Sequence, residues 1–219
     1  MPNILYLHGF ASGPLSNKAR FFSNRFAQIG ATVHCPDLAE GDFTRLTLTK
    51  QLKLIDRLAR ELDPVMIIGS SLGGYLAAIY GSIHPELAPR LLLLAPAFGF
   101  PRGWEDRLGK EQMEEWRQKG SMQVYHYGAG ESRSIGYEFY ENALWFDRYP
   151  DLSQPTLIYH GKRDDVVSPD LSVKFAWGKP NVQLDLVDSD HSLGDALEYI
   201  WRGAADFYQR AETVSAGGA

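Results

Sequence analysis

Cysteine is nearly missing from this chain of 219 residues: Cys35 is the only one. A disulfide within the chain is therefore excluded, and so is a zinc site built on cysteine pairs. The lone thiol reads as a small buried apolar group on a strand, not as a nucleophile. Basic charge is also short, with 22 Lys+Arg against 27 Asp+Glu and a net charge of −5. No run of lysines and arginines forms the dense basic face that phosphate neutralisation needs, which argues against a nucleic-acid partner. No apolar run reaches membrane-spanning length, and no positive residue precedes Lys18, so neither a span nor a secretory leader is expected. The expected compartment is the cytoplasm. What remains is an ordinary globular composition, 44% hydrophobic and 22% charged, of a length suited to a single α/β domain over residues 1–219.

Short apolar runs alternate with amphipathic stretches. Ile4 to Leu7 reads as a buried parallel strand, closed by His8-Gly9. Pro14 and Ser16 mark a loop and a helix start. Phe21, Phe22, Phe26 and Ile29 then recur at helical spacing within Lys18 to Ile29, and Gly30 suits the C-cap. Thr32 to Cys35 is the second strand, a helix is expected from about Leu46 to Leu62, and Val65 to Ile68 is the third strand. A helix over Leu72 to Ile83 and a strand at Leu91 to Leu94 follow. After residue 154 come a strand at Thr156 to Tyr159, a helix near Leu171 to Trp177, a strand at Val182 to Val187 and a helix from Leu193 to Arg210. This spacing predicts a mostly parallel sheet flanked by helices. The tail, Ala211 to Ala219, reads as frayed.

The stretch from Phe98 to Gln154 breaks the rhythm. It is too long for a plain crossover between the strand ending near Leu94 and the one starting near Thr156, and reads as an inserted cap over 98–154.

Gly69-Ser70-Ser71-Leu72-Gly73 joins the third strand to the following helix. A Gly-x-Ser-x-Gly pattern is weak alone, but strand before and helix after is the context of a nucleophile elbow. Such a turn strains the serine backbone and crowds the positions on either side, which glycine relieves. The bland alternative is a βα turn whose serine caps the helix. Ser71 is the expected nucleophile, and Ser70 points elsewhere.

A serine hydroxyl needs a base to take its proton, and in this context the base comes last along the chain, after an acid. Of the histidines after Ser71, His126 falls in the insert, and His160 ends a strand upstream of any acid. His191 lies between the last strand and last helix, where the base belongs. The turn after Thr156–Tyr159 offers Asp164, three residues beyond Gly161, with Asp165 as the fallback; Asp188 and Asp190 read as loop-ordering residues. The oxyanion of an acyl-transfer intermediate needs two preorganised N–H donors. Leu72 supplies one, and the loop after the first strand supplies the other through Phe10, or through Ala11 if the loop is shifted.

Leu7-His8-Gly9-Phe10-Ala11-Ser12-Gly13-Pro14 with Ser16-x-Lys18-Ala19 resembles the opening of small bacterial YqiA-like esterases. Gly69-Ser70-Ser71-Leu72-Gly73-Gly74 and Ser189-Asp190-His191 resemble α/β hydrolases broadly. His160-Gly161-x-x-Asp164-Asp165-Val166-Val167, with the aromatic insert, is similar to the mitochondrial acyl-protein thioesterase-like branch. The resemblance implies the α/β-hydrolase fold and a cofactor-free, metal-free serine esterase or thioesterase. Its triad would be Ser71, Asp164 and His191, with Phe10 and Leu72 as oxyanion donors. The expected substrate is a small-molecule ester or thioester with an apolar acyl group, and Trp104, Trp116 and Trp145, with Tyr137, Phe139 and Tyr140, are the candidate pocket wall. A non-catalytic ligand-binding protein, or a cofactor-free peroxidase or lyase, are the rivals that one scaffold also permits.

Overall fold

The odd and even residues of each central strand part to opposite faces, and both faces are covered. The computed structural model describes the backbone of residues 1–216 and the side chains of residues 1–209. The element order is β1 (Asn3–Leu7), α1 (Asn17–Gln28), β2 (Thr32–His34), α2 (Leu48–Leu62), β3 (Met66–Ser70), α3 (Leu72–Ile83) and β4 (Leu91–Leu94). An insert then supplies α4 (Arg102–Lys119), β5 (Ser121–His126), β6 (Glu131–Gly136) and α5 (Glu138–Ala143). The chain closes with β7 (Thr156–Gly161), α6 (Pro169–Ala176), β8 (Val182–Val187), a 3-10 turn (Gly194–Ala196) and α7 (Leu197–Ala216).

Six strands form one sheet in the order β2-β1-β3-β4-β7-β8. Each pairing in it is parallel, and antiparallel pairing is confined to the β5–β6 hairpin. Ile4 and Tyr6 of β1 pack with Phe22 and Phe26 of α1 and Ile200 and Ala204 of α7, while Leu5 and Leu7 pack with Ile55 of α2 and Tyr75 and Leu76 of α3. Burial on both faces is why these strands read as unbroken apolar runs instead of alternating ones. The helix starts are set by side chains: Ser16 Oγ accepts from the Ala19 N–H at 3.4 Å, and Thr47 Oγ1 from the Lys50 N–H at 3.2 Å. The second helix therefore opens at Leu48, not at Leu46.

From β1 the chain turns to β2 on one side, and from α2 it returns to β3 on the other. A crevice opens at such a switch point, beyond the carboxyl ends of β1 and β3.

The insert packs onto the ends of the sheet's neighbours. The Gly128 N–H donates to the Ala11 carbonyl at 3.3 Å and the Gly136 N–H to the Thr44 carbonyl at 2.9 Å. Asn142 accepts from the Thr49 N–H at 2.9 Å and donates to its hydroxyl at 2.8 Å. Helix α4 breaks at Gly109, where φ is 73°. Trp116 is its one fully buried residue, so no apolar stripe marks it in the sequence.

Toward the C-terminus, two further boundaries differ from the sequence reading. Leu193 does not begin a helix: its φ is 56°, in the left-handed region, and α7 starts only at Leu197. Helix α7 continues past Arg210 to Ala216, through most of the tail expected to fray; residues 217–219 lie outside the described residues. Cys35 sits just beyond β2, half-buried, and burial pushes its thiol up to about 12, which keeps it protonated and unreactive. Among the described residues, no helix is long and apolar enough to cross a membrane.

Candidate active site

Ser71 is the single residue between β3 and α3, held at φ 53° and ψ −118°. The strain persists because the surroundings over-determine it. Its N–H donates to the Leu94 carbonyl at 2.9 Å, and its own carbonyl accepts from the N–H groups of Gly74, Tyr75 and Ala97 at 2.9, 3.1 and 3.0 Å. The flanking glycines are steric necessities. A Cβ on Gly69 would stand 2.4 Å from the Gly73 carbonyl oxygen, and one on Gly73 would stand 2.1 Å from that of Leu7. Although Ser71 occupies the N-cap position of α3, its hydroxyl makes no capping hydrogen bond. It is turned instead toward His191, whose Nε2 is 3.1 Å from Ser71 Oγ.

His191 stands on the loop after β8. Its Nδ1 is 2.7 Å from Asp164 Oδ2. A carboxylate only accepts, so Nδ1 carries the proton and Nε2 is left as the acceptor facing the serine. Asp164 is buried in the turn that leaves β7, three residues past Gly161. Its Oδ1 accepts from the Val166 and Val167 N–H groups at 2.9 and 2.8 Å. Burial pushes this carboxyl up, but hydrogen bonds from His160, His191 and the Val167 N–H outweigh it and hold the group well below the usual carboxylate range.

His160 is a residue that sequence reasoning passed over. Its Nε2 lies 2.9 Å from the Val167 carbonyl and 3.1 Å from Asp164 Oδ2, and its Nδ1 is 2.7 Å from Ser172 Oγ. It and His191 each bring a ring nitrogen to the same Asp164 oxygen, Oδ2, and His160 is fully buried. The signal in the sequence was the spacing of His160 and Asp164 across a strand end, which carries no periodicity of its own. Asp165 is exposed and turned away, and Asp188 pairs with Arg163. Asp190 accepts from the Ser192 N–H at 2.8 Å and the Ser192 hydroxyl at 2.6 Å, which orders the loop beside the base.

Across from His191, Gly9 leaves β1 against Ser71: a Cβ there would stand 3.3 Å from Ser71 Cβ. Phe10 follows one residue on, and Leu72, the first residue of α3, has an N–H with no intrahelical acceptor. Ala11 adopts a φ of 51° and is 4% exposed. The Phe10 ring packs on Phe43, Trp104 and Phe139, with ring centroids 5.4, 5.0 and 5.3 Å away.

Of the three tryptophans expected to wall the site, only Trp104 touches this cluster. Trp116 is 1% exposed and its Nε1–H donates to the Ile135 carbonyl at 3.1 Å, so its indole is the core of the insert. Trp145 follows α5 and is 78% exposed. Both leave the list of pocket residues: one is locked behind Trp104, Tyr137 and Tyr140, and the other faces solvent. Trp116→Ala is accordingly expected to cost about 3–5 kcal/mol of stability in a urea titration. Trp145→Ala is expected to shift stability by less than about 0.5 kcal/mol. Equal costs would contradict these placements.

Among the described residues, no cluster of three or more His, Cys, Asp and Glu side chains could hold a metal ion. Ser71, His191 and Asp164 thus stand in one hydrogen-bonded line.

Comparison with known proteins agrees on the frame. The family model described as Uncharacterised protein family (UPF0227) matches residues 3–208. A search of curated proteins gives no match. Alpha/beta hydrolase domain-containing protein 10 from mouse is similar in structure, with a TM-score of 0.77 and 19% identity over 96% of this chain and 90% of that one. Est1E from Butyrivibrio proteoclasticus with ferulic acid bound has a TM-score of 0.77 and 19% identity over 97% of this chain and 90% of that one. The esterase EaEST from Exiguobacterium antarcticum has a TM-score of 0.67 and 16% identity over 95% of this chain and 92% of that one. At these identities the likeness establishes the fold: this is the α/β-hydrolase fold.

Proposed function

The chain belongs to the UPF0227 family, and from that premise we propose that it is a serine esterase cleaving carboxylic esters of apolar acyl groups. The observation that carries the reading is the hydrogen-bonded line from Ser71 Oγ to His191 Nε2, at 3.1 Å, and from His191 Nδ1 to Asp164 Oδ2, at 2.7 Å. His191 takes the hydroxyl proton as Ser71 Oγ attacks the ester carbonyl, and the Phe10 and Leu72 N–H groups receive the oxyanion. The tetrahedral intermediate collapses, the C–O bond to the alcohol breaks, and His191 returns the proton to that alcohol. Water then gives its proton to His191 and attacks the acyl-Ser71 ester, which releases the carboxylic acid and restores the serine. Asp164 holds the imidazole in the required tautomer throughout, and His160 holds Asp164. The whole chain acts as one unit in this reading, with residues 98–154 as its cap. The cap brings Trp104 and the buried Phe139 onto Phe10, and the partly exposed rings of Phe10 and Trp104 give aromatic surface next to the oxyanion loop that suits an apolar acyl group.

A fluorophosphonate probe tests the nucleophile. The wild-type protein is expected to label covalently and Ser71→Ala to lose all labelling. Labelling of the variant at the wild-type rate, or none of either protein, would overturn the assignment. Turnover of an oxygen ester and a thioester of the same acyl chain separates the esterase from a thioesterase with identical machinery.

A further inference from the structure

Lys18 has no place in the chemistry above, yet its side chain ends beside the base. It lies in the first turn of α1, half-buried, and its Nζ donates to the Ser192 carbonyl at 2.9 Å and to the His191 carbonyl at 3.4 Å. These are backbone contacts across 173 and 174 residues of sequence, made to the base itself and to the residue after it. An ammonium group is a strong donor to carbonyl oxygen. Burial pushes its pKa down to about 8, against the pull of Asp164 and Asp190, so both carboxylates sense the same ammonium.

Asp190 caps Ser192 from within the loop, and Leu193 is already in the left-handed region at φ 56°. Helix α1, meanwhile, begins at its Ser16 cap, directly after the Gly9–Pro14 loop that carries the Phe10 N–H. One helix turn therefore follows the oxyanion loop in the chain and clamps the base loop in space.

We propose that Lys18 is a positioning residue for the esterase reaction, an ammonium clamp that holds the His191 main chain in register with the oxyanion loop. The inference rests on the proposed serine-esterase reading. It concerns geometry in the transition state, where a misplacement of about 1 Å costs on the order of 100-fold.

The test compares Lys18→Met, which keeps the apolar stem and removes the ammonium, with Lys18→Arg, which keeps a charged donor. Steady-state hydrolysis of a p-nitrophenyl ester, the fluorophosphonate labelling rate and the thermal midpoint are measured for each. Lys18→Met is expected to lose about 10- to 100-fold in kcat and in labelling rate, with KM within about twofold of wild type. Lys18→Arg is expected to recover most of that loss. Wild-type kcat in Lys18→Met overturns the clamp, because the stem alone then suffices, as does an equal loss in both variants, because a charged donor then restores nothing. If Lys18→Met does not fold, Lys18→Arg decides: retained kcat supports the clamp, and a loss of more than about tenfold in a folded Lys18→Arg overturns it. A wild-type protein that neither labels nor turns over would instead remove the esterase reading, and the clamp with it.

Discussion

Asp164→Asn is expected to lower kcat about 10⁴-fold, the scale on which a triad loses its correct tautomer. The reason is specific to this loop. Oδ1 accepts from two backbone N–H groups, those of Val166 and Val167, and Oδ2 receives from His191 and His160. An asparagine amide must keep its oxygen on the two N–H groups, because its NH2 cannot accept there. Its NH2 is then forced onto the histidines, where it meets His191 Nδ1 as a donor. Nδ1 must become the acceptor, the ring proton moves to Nε2, and Ser71 faces a nitrogen with no lone pair to offer. Asp165→Asn, next door, is expected to change kcat by less than about twofold, since its exposed side chain reaches neither histidine. Stopped-flow or steady-state hydrolysis of the same ester by both variants reads the contrast directly. Similar losses in the two, or a greater loss from Asp165→Asn, would remove Asp164 from the acid role.

Gly73→Ala should fail at an earlier step, in folding. The added methyl would stand 2.1 Å from the Leu7 carbonyl oxygen and 2.6 Å from that of His8. Neither is the mobile end of a side chain: Leu7 ends β1, paired with Gly69 of β3, and His8 is the strand's exit. Relief requires α3 to move away from β1, which would also unseat the Ser71 turn and the buried face of Tyr75 and Leu76. A cost of at least about 3 kcal/mol is expected, a large share of the stability of an ordinary domain. The measurable results are a low soluble yield and a denaturation midpoint far below wild type. A Gly73→Ala protein of wild-type midpoint that still labels with the probe would contradict the close approach of helix and strand. Gly13→Ala is the natural control, since nothing stands within 4 Å of a Cβ there.

Much of this molecule was legible in the order of its residues. Local rules govern the alternation of buried apolar runs with amphipathic helices, so the strands at Ile4–Leu7, Leu91–Leu94 and Val182–Val187 could be placed to within a residue. The Gly69–Gly73 turn is local in the same way: its strain and its glycines belong to five consecutive positions. The insert resisted because its elements bury little. Helix α4 presents one fully buried side chain, and the β5–β6 hairpin is mostly half-exposed, so neither carries the periodicity that betrays an element. For the same reason aromatic content alone named Trp104, Trp116 and Trp145 together, although one packs on Phe10, one is interior and one is bathed in solvent.

The sequence by itself determined the doubly covered parallel sheet and the tight Gly69–Gly73 turn with Ser71 at its apex. Each of these follows from short-range sterics or hydrophobic spacing. Only the tertiary structure decided which of two adjacent aspartates turns inward, that His160 stands against that aspartate, and that Lys18 reaches the His191 loop from the far end of the chain. Those contacts join residues up to 174 positions apart. They depend on side-chain direction and on burial, neither of which has any expression in sequence spacing.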